Sequence, residues 1–91
     1  PGEGPSREKR ENGNYDILFC ADVDNKVIKA SVAGDMDPGY GSTSKMITES
    51  AVCLLKEADD LPGGIYTPAS SLGKRLIKRL QDNAGLTFKV E

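Results

Sequence analysis

The stretch Tyr15-Asp16-Ile17-Leu18-Phe19-Cys20-Ala21-Asp22-Val23-Asp24-Asn25-Lys26-Val27-Ile28-Lys29-Ala30-Ser31-Val32 decides the fold. Tyr15, Ile17, Phe19 and Ala21 alternate with Asp16, Leu18, Cys20 and Asp22, a period of two that reads as a strand whose second face is partly apolar. Asp24-Asn25 separates it from a second extended run, Val27 to Val32, and two turn-prone residues between such runs predict a tight hairpin. The two strands are therefore expected to be antiparallel neighbours.

Upstream, Ser6 can cap a polar turn over Arg7 to Glu11 that Asn12 and Gly13 stop. Residues 1–14 thus read as a linker with a short helical turn. Downstream, Gly34-Asp35-Met36-Asp37-Pro38-Gly39-Tyr40-Gly41 breaks all periodicity. Ile47, Ala51, Leu54, Leu55 and Ala58 then give one apolar face to a helix from about Thr43 to Glu57, capped by Ser42 or Thr43. Leu61-Pro62-Gly63-Gly64 ends it, and Ile65-Tyr66 is short enough to be a connector.

Thr67-Pro68 opens a second helix with Ala69, Leu72, Leu76, Ile77 and Leu80 on its apolar face, ending near Asn83 with Gly85 as the left-handed residue. Leu86, Phe88 and Val90 alternate with Thr87, Lys89 and Glu91, a final strand. The expected fold class is α+β, a small and mainly antiparallel sheet with two helices on one face, in the order strand-strand-helix-helix-strand. Residues 1–91 read as one module.

Composition bounds the chemistry. The chain has 91 residues, 37% of them hydrophobic, with 12 Lys plus Arg against 14 Asp plus Glu and no histidine. Without histidine there is no Ser-His-Asp triad, no Cys-His pair and no imidazole metal ligand. Cys20 and Cys53 both lie in apolar runs and read as buried thiols, too few and too separate for a disulfide scaffold or a tetrahedral zinc site. No apolar run reaches the roughly 20 residues of a membrane span, and no signal-peptide pattern opens the chain. A reducing, cytoplasmic setting is the expectation.

Lys74, Arg75, Lys78 and Arg79 give the second helix a basic face, which suits an acidic partner or, more simply, solvent. The acidic total and the absence of aromatic residues among those cations weigh against nucleic acid. Asp35 and Asp37 do not open an EF-hand, because position twelve from Asp35 is Met46. Glu49 lies one residue off the apolar face and is expected to be exposed.

Pro38-Gly39-Tyr40-Gly41 runs into Ser42-Thr43-Ser44 at a helix start, where free N–H groups and the helix dipole favour a carboxylate or phosphate. The same residues equally serve a plain turn and cap. Neither a P-loop nor a strand followed by G-x-G-x-x-G is present.

Three blocks of the chain resemble the C-terminal part of saccharopine dehydrogenase-like oxidoreductases, including the group called trans-acting enoyl reductases. They are Pro1-Gly2-Glu3-Gly4-Pro5-Ser6 with Arg10 and Gly13; Gly34-Asp35-Met36-Asp37-Pro38-Gly39-Tyr40 with Thr43, Met46 and Glu49; and Gly63-Gly64-Ile65-Tyr66-Thr67-Pro68-Ala69 with Leu72-Gly73, Leu76, Arg79-Leu80, Gly85 and Phe88. The resemblance implies a two-part enzyme, with NAD(P) held by an N-terminal Rossmann-like domain and a second domain that shapes a small-molecule substrate pocket and pairs subunits into a homo-oligomer. This chain resembles the tail of that second domain, and Pro1 in place of Met suits a piece of something longer.

No cofactor is expected in the chain itself, no catalytic residue carries over, and the chain alone is not expected to be active. Asp37, Gly39, Tyr40, Thr43 and Ser44 are the residues expected nearest any substrate or anion. The alternative reading is a non-catalytic binding or oligomerisation module.

Overall fold

The computed structural model describes residues 2–91; Pro1, which opens the connector, lies outside the described residues. The hairpin forms as its turn residues dictate. Asp24 and Asn25 adopt φ of 50° and 63°, the two positive values a two-residue type I′ turn requires, and Asp and Asn tolerate that region better than other side chains. Strand β1 (Tyr15–Val23) pairs with β2 (Lys26–Gly34) over nine unbroken positions, from Tyr15 opposite Gly34 to Val23 opposite Lys26. The final strand, β3 (Leu86–Val90), pairs antiparallel with the other edge of β2, giving the order β1-β2-β3.

Helix α1 (Arg7–Asn12) is the expected polar turn, with the Ser6 side chain accepting from the Lys9 N–H. Helices α2 (Gly41–Glu57) and α3 (Pro68–Asn83) fill the crossover between β2 and β3. The α3 N-terminus is a reciprocal cap between Thr67 and Ser70, with Pro68 inside it. One expectation needs refining there: α3 is not continuous, because Gly73 at φ 51° and ψ −131° breaks it after the first turn. Gly85 takes the left-handed conformation, φ 70°, that carries the chain from α3 into β3.

The core is small. Leu72, Leu76 and Leu80 recur every fourth residue on α3 and meet Cys53 and Ala58 from α2 and its end, with Ala84 and Leu86. Val32, Phe88, Met46 and Leu61 pack partly against this cluster. Val32, Leu86 and Phe88 share one face of the sheet, so the helices cover that face and only near one end of it.

Three expectations are corrected. The α2 stripe of Ile47, Ala51, Leu54 and Leu55 faces outward, with Ile47 69% and Leu55 77% exposed, and the side that meets α3 carries Cys53, Met46 and Ser50 instead. Helix α2 starts at Gly41 with Tyr40 at the cap position, two residues earlier than expected, and neither Ser42 nor Thr43 caps it. Cys20 is exposed, because among the described residues nothing covers the outer face of β1; Cys53 is buried as expected.

A folded monomer of 9.7 kDa has an accessible surface of about 5,100 Å² by the usual mass scaling, whereas this chain exposes 6868 Å². Its radius of gyration is 15.3 Å, against about 12 Å for a compact domain of this length. The surplus lies where the core ends: Ile17, Phe19 and Ile28 on the helix side of the sheet, Leu18 and Val27 on the other, and Ile47, Leu54 and Leu55 on α2 are all exposed. Apolar side chains are thus exposed on both faces of the sheet and along α2.

Candidate functional site

The loop between β2 and α2 is built around one carboxylate. Asp37 Oδ2 accepts from the backbone N–H of Tyr40 at 2.7 Å and of Gly41 at 3.1 Å, and the Asp37 carbonyl accepts from the Ser42 N–H at 2.7 Å. The Asp37 carboxyl is held below its ordinary value of 3.8, first by the Tyr40 N–H and then by that of Gly41. Asp37 itself therefore fills the anion position that the sequence places at this helix start. The loop is tied to the opening turn by Asp37 N–H donating to the Arg10 carbonyl at 3.0 Å.

Because its folded pKa is depressed, Asp37 contributes stability that is fully present above its unfolded value and lost as pH falls through the lower folded value. Asp37→Ala is therefore expected to melt at a lower temperature than the parent at pH 7. That gap should close on titration below 3.8. Thermal melts over a pH series check this; a gap that persists unchanged at pH 2 would contradict the ionic cap.

The other site residues have local duties. The Thr43 hydroxyl donates to the Pro38 carbonyl, and Ser44 Oγ donates to the Gly41 carbonyl at 2.9 Å. A Cβ on Gly39 would sit 3.6 Å from the Asp37 carboxylate, ordinary contact distance. The Tyr40 ring lies against Gly4 of the connector and is 58% exposed.

Beside this loop an open cleft of about 490 Å³ runs between the connector, α1 and the start of α2. Tyr40 and Ser44 line it, together with Arg7, Arg10, Met36 and Lys45; Asp37, Gly39 and Thr43 do not. Arg7 pairs with Glu11 at 2.7 Å and Arg10 donates to the Pro5 carbonyl at 2.9 Å, while Lys45 stands 3.9 Å from Asp35. Arg10, Met36 and Lys45 are missing from the expected set because they come from three separate segments, and no local spacing announces their meeting.

The basic face of α3 is largely neutralised. Arg75 pairs with Asp60 at 2.7 Å and also donates to the Glu57 carbonyl, and Lys78 pairs with Asp82 at 2.6 Å. Arg79 bridges Glu49 at 2.9 Å and Glu57 at 3.0 Å. The expectation for Glu49 is corrected here: its side chain is 16% exposed, because Arg79 draws it into the seam between α2 and α3. Hydrogen bonding to Glu57 and then Glu49 pushes the Arg79 pKa up, the burial cost being smaller than the first of these. Burial, and next the charge of Glu57, pushes the Cys53 thiol up, which keeps it protonated and inert.

Arg79→Gln is expected to lower the melting temperature by stranding two glutamates face to face, and Glu49→Gln in that background to restore part of the loss. A double variant no more stable than Arg79→Gln would show that the two groups are not coupled.

Among the described residues no group of acidic or cysteine side chains is arranged to hold a metal ion, and no helix is long and apolar enough to cross a membrane. Among the described residues no strand runs into a helix through a G-x-G-x-x-G turn.

No family model matches the sequence, and no solved structure matches it. Curated relatives do. The chain is 37% identical over 83 residues to a Mycobacterium tuberculosis protein provisionally designated a trans-acting enoyl reductase. It is 34% identical to the trans-acting enoyl reductase of Mycobacterium ulcerans and 32% to that of Mycobacterium bovis, again over 83 residues. The aligned segment is 88% of this chain in each case, and the chain spans about a fifth of the length of the relatives it matches, 20%. Nearly all of this chain is thus homologous to one short stretch of proteins named trans-acting enoyl reductases.

Proposed function

We propose that the chain is the C-terminal segment of an NAD(P)-dependent oxidoreductase of the saccharopine dehydrogenase-like kind, acting on an enoyl substrate in the cytoplasm. The observation that carries this reading is the alignment of 88% of the chain with 20% of proteins named for that reaction. The surplus surface supports it, since a wall with apolar residues exposed on both faces suits a larger body. In this reading a Rossmann-like domain elsewhere in the protein holds the nucleotide and supplies hydride, while these residues contribute sheet, pocket wall and a subunit contact. Asp37, Gly39, Tyr40, Thr43 and Ser44 form the segment nearest the substrate, with Tyr40 and Ser44 presented on the cleft.

The test is nucleotide oxidation by the intact protein given NADPH or NADH and an α,β-unsaturated thioester, with mass spectrometry of the product. A product heavier by two hydrogens is expected. Nucleotide that is neither bound nor oxidised, in a protein without a G-x-G-x-x-G strand turn, would leave the alternative of a non-catalytic binding or oligomerisation module. Tyr40→Phe in the same assay is expected to weaken substrate affinity; unchanged affinity and turnover would remove its hydroxyl from the pocket.

A further inference from the structure

A charged side chain that gives up water needs an opposite charge or hydrogen bonds in return. Among the described residues Arg10, Lys45, Arg75 and Arg79 are the half-buried cations. Arg75 and Arg79 each have a carboxylate at 3.0 Å or closer. Arg10 and Lys45 do not. Among the described residues the Arg10 side chain donates to the Pro5 carbonyl alone, which leaves most of its guanidinium donors over. The Asp37 carboxylate feels the Arg10 charge but is already taken up by the N–H groups of Tyr40 and Gly41. Lys45 stands 3.9 Å from Asp35, beyond hydrogen-bond reach.

Both of these cations line the cleft beside the β2–α2 loop, and its volume of about 490 Å³ falls within the range of small-molecule sites. The walls of that cleft are held together. A Cβ on Gly13 would stand 2.8 Å from the Asp37 backbone nitrogen, and one on Gly41 would stand 3.2 Å from the Arg10 carbonyl oxygen. Only glycine at these two positions lets α1 approach the loop so closely, and the hydrogen bond from the Asp37 N–H to the Arg10 carbonyl fixes the approach. Arg10 on α1, Tyr40 at the α2 cap position and Lys45 one turn further on thus reach one cleft from separate segments.

We propose that this cleft receives the phosphate group of a small ligand, with Arg10 and Lys45 as its counter-charges and the Tyr40 hydroxyl as a further donor. Three donors from separate segments suit the three terminal oxygens of a phosphate monoester, where a carboxylate offers two. Met36 and the Tyr40 ring supply apolar surface for the part of the ligand next to it. Of the carboxylates on the cleft, Glu11 is held by Arg7, and the exposed Glu3 is the charge that opposes an anion. The inference deepens the reading of this region as the segment nearest the substrate. It rests on that reading only for the source of the phosphate, which is the carrier of the thioester or the nucleotide.

The test is equilibrium dialysis of radiolabelled inorganic phosphate against the intact protein at low ionic strength. Saturable binding is expected, weakened about tenfold by Arg10→Gln and by Lys45→Gln, the loss expected for one charge-assisted contact. Arg10→Gln also releases the connector, whereas Lys45→Gln removes no hydrogen bond among the described residues, so the second variant reads binding without a change of fold. Glu3→Gln is expected to tighten binding. Displacement of the label by coenzyme A assigns the phosphate to the thioester carrier, and displacement by NADP assigns it to the nucleotide. Binding that Lys45→Gln leaves unchanged overturns the proposal, as does binding that Lys26→Gln, on the distant hairpin, weakens equally. Acetate that displaces the label as well as unlabelled phosphate does overturns it too. Enoyl reduction by a protein that retains no phosphate would leave the oxidoreductase reading standing and remove this one alone, and Lys45-dependent phosphate binding without nucleotide oxidation would do the reverse.

Discussion

Gly34→Val is expected to leave this domain largely unfolded at physiological temperature. Gly34 sits on the central strand directly opposite Tyr15, and a Cβ there would run into the Tyr15 ring. The ring lies over the glycine and its hydroxyl meets Ser42 Oγ at 2.7 Å, and Ser42 is wholly buried. Any side chain at position 34 must therefore expel the ring, separate the hairpin from the start of α2 and leave a buried hydroxyl without its partner. Overpacking costs about 1–3 kcal/mol, and an unpaired buried hydroxyl adds roughly 1–3 kcal/mol. For a domain of this length each kcal/mol moves Tm by about 4–8 °C, so a fall of well over 10 °C is expected on that scale. Tyr15→Phe, which keeps the ring and loses only the hydroxyl, leaves the second of these terms alone and should cost about half as much. Thermal melts followed by far-UV circular dichroism decide the matter; a Gly34→Val protein that melts within two degrees of the parent would mean the ring is not seated there.

How legible a piece of this fold is depends on whether its information is local. Asp24-Asn25 and the period-two runs around it are enough to specify a type I′ hairpin, because turn chemistry and strand pattern both lie within a few residues. Helix α3 is legible for the same reason: Thr67-Pro68 caps it and a single leucine stripe orients it. Helix α2 has two stripes. The more hydrophobic one, Ile47, Leu54 and Leu55, is exposed, while the one that packs includes Ser50, Cys53 and two glutamates held by Arg79. Residues 30 apart in sequence make that ion pair, and no local pattern reveals it.

The candidate site divides in the same way. Asp37 three residues before Tyr40 is an Asx-turn signal that sequence alone could have supplied, and it explains why α2 starts at Gly41 without help from Ser42 or Thr43. The cleft beside it joins the connector to α2, so its cationic lining emerges only from the tertiary structure. The exposure of Cys20 is not legible in the sequence, because alternation shows which residues share a face but not whether anything covers that face.

Leu76→Ala is the second large effect, and its value lies in the contrast with Leu55→Ala. Both leucines belong to apolar helix faces in the sequence. Leu76 is 8% exposed within the small leucine-rich core, whereas Leu55 is 77% exposed. Truncating a buried leucine costs about 2–5 kcal/mol, a large part of what holds so thin a core together. Truncating an exposed one typically changes stability by less than about 0.5 kcal/mol. Urea denaturation of the isolated chain should show that ratio. In the intact protein the two should converge if the outward stripe of α2 docks against the rest of the molecule, because Leu55 then becomes a buried leucine as well. A Leu55→Ala effect that stays negligible in the larger protein proposed above would show that this face meets water there too.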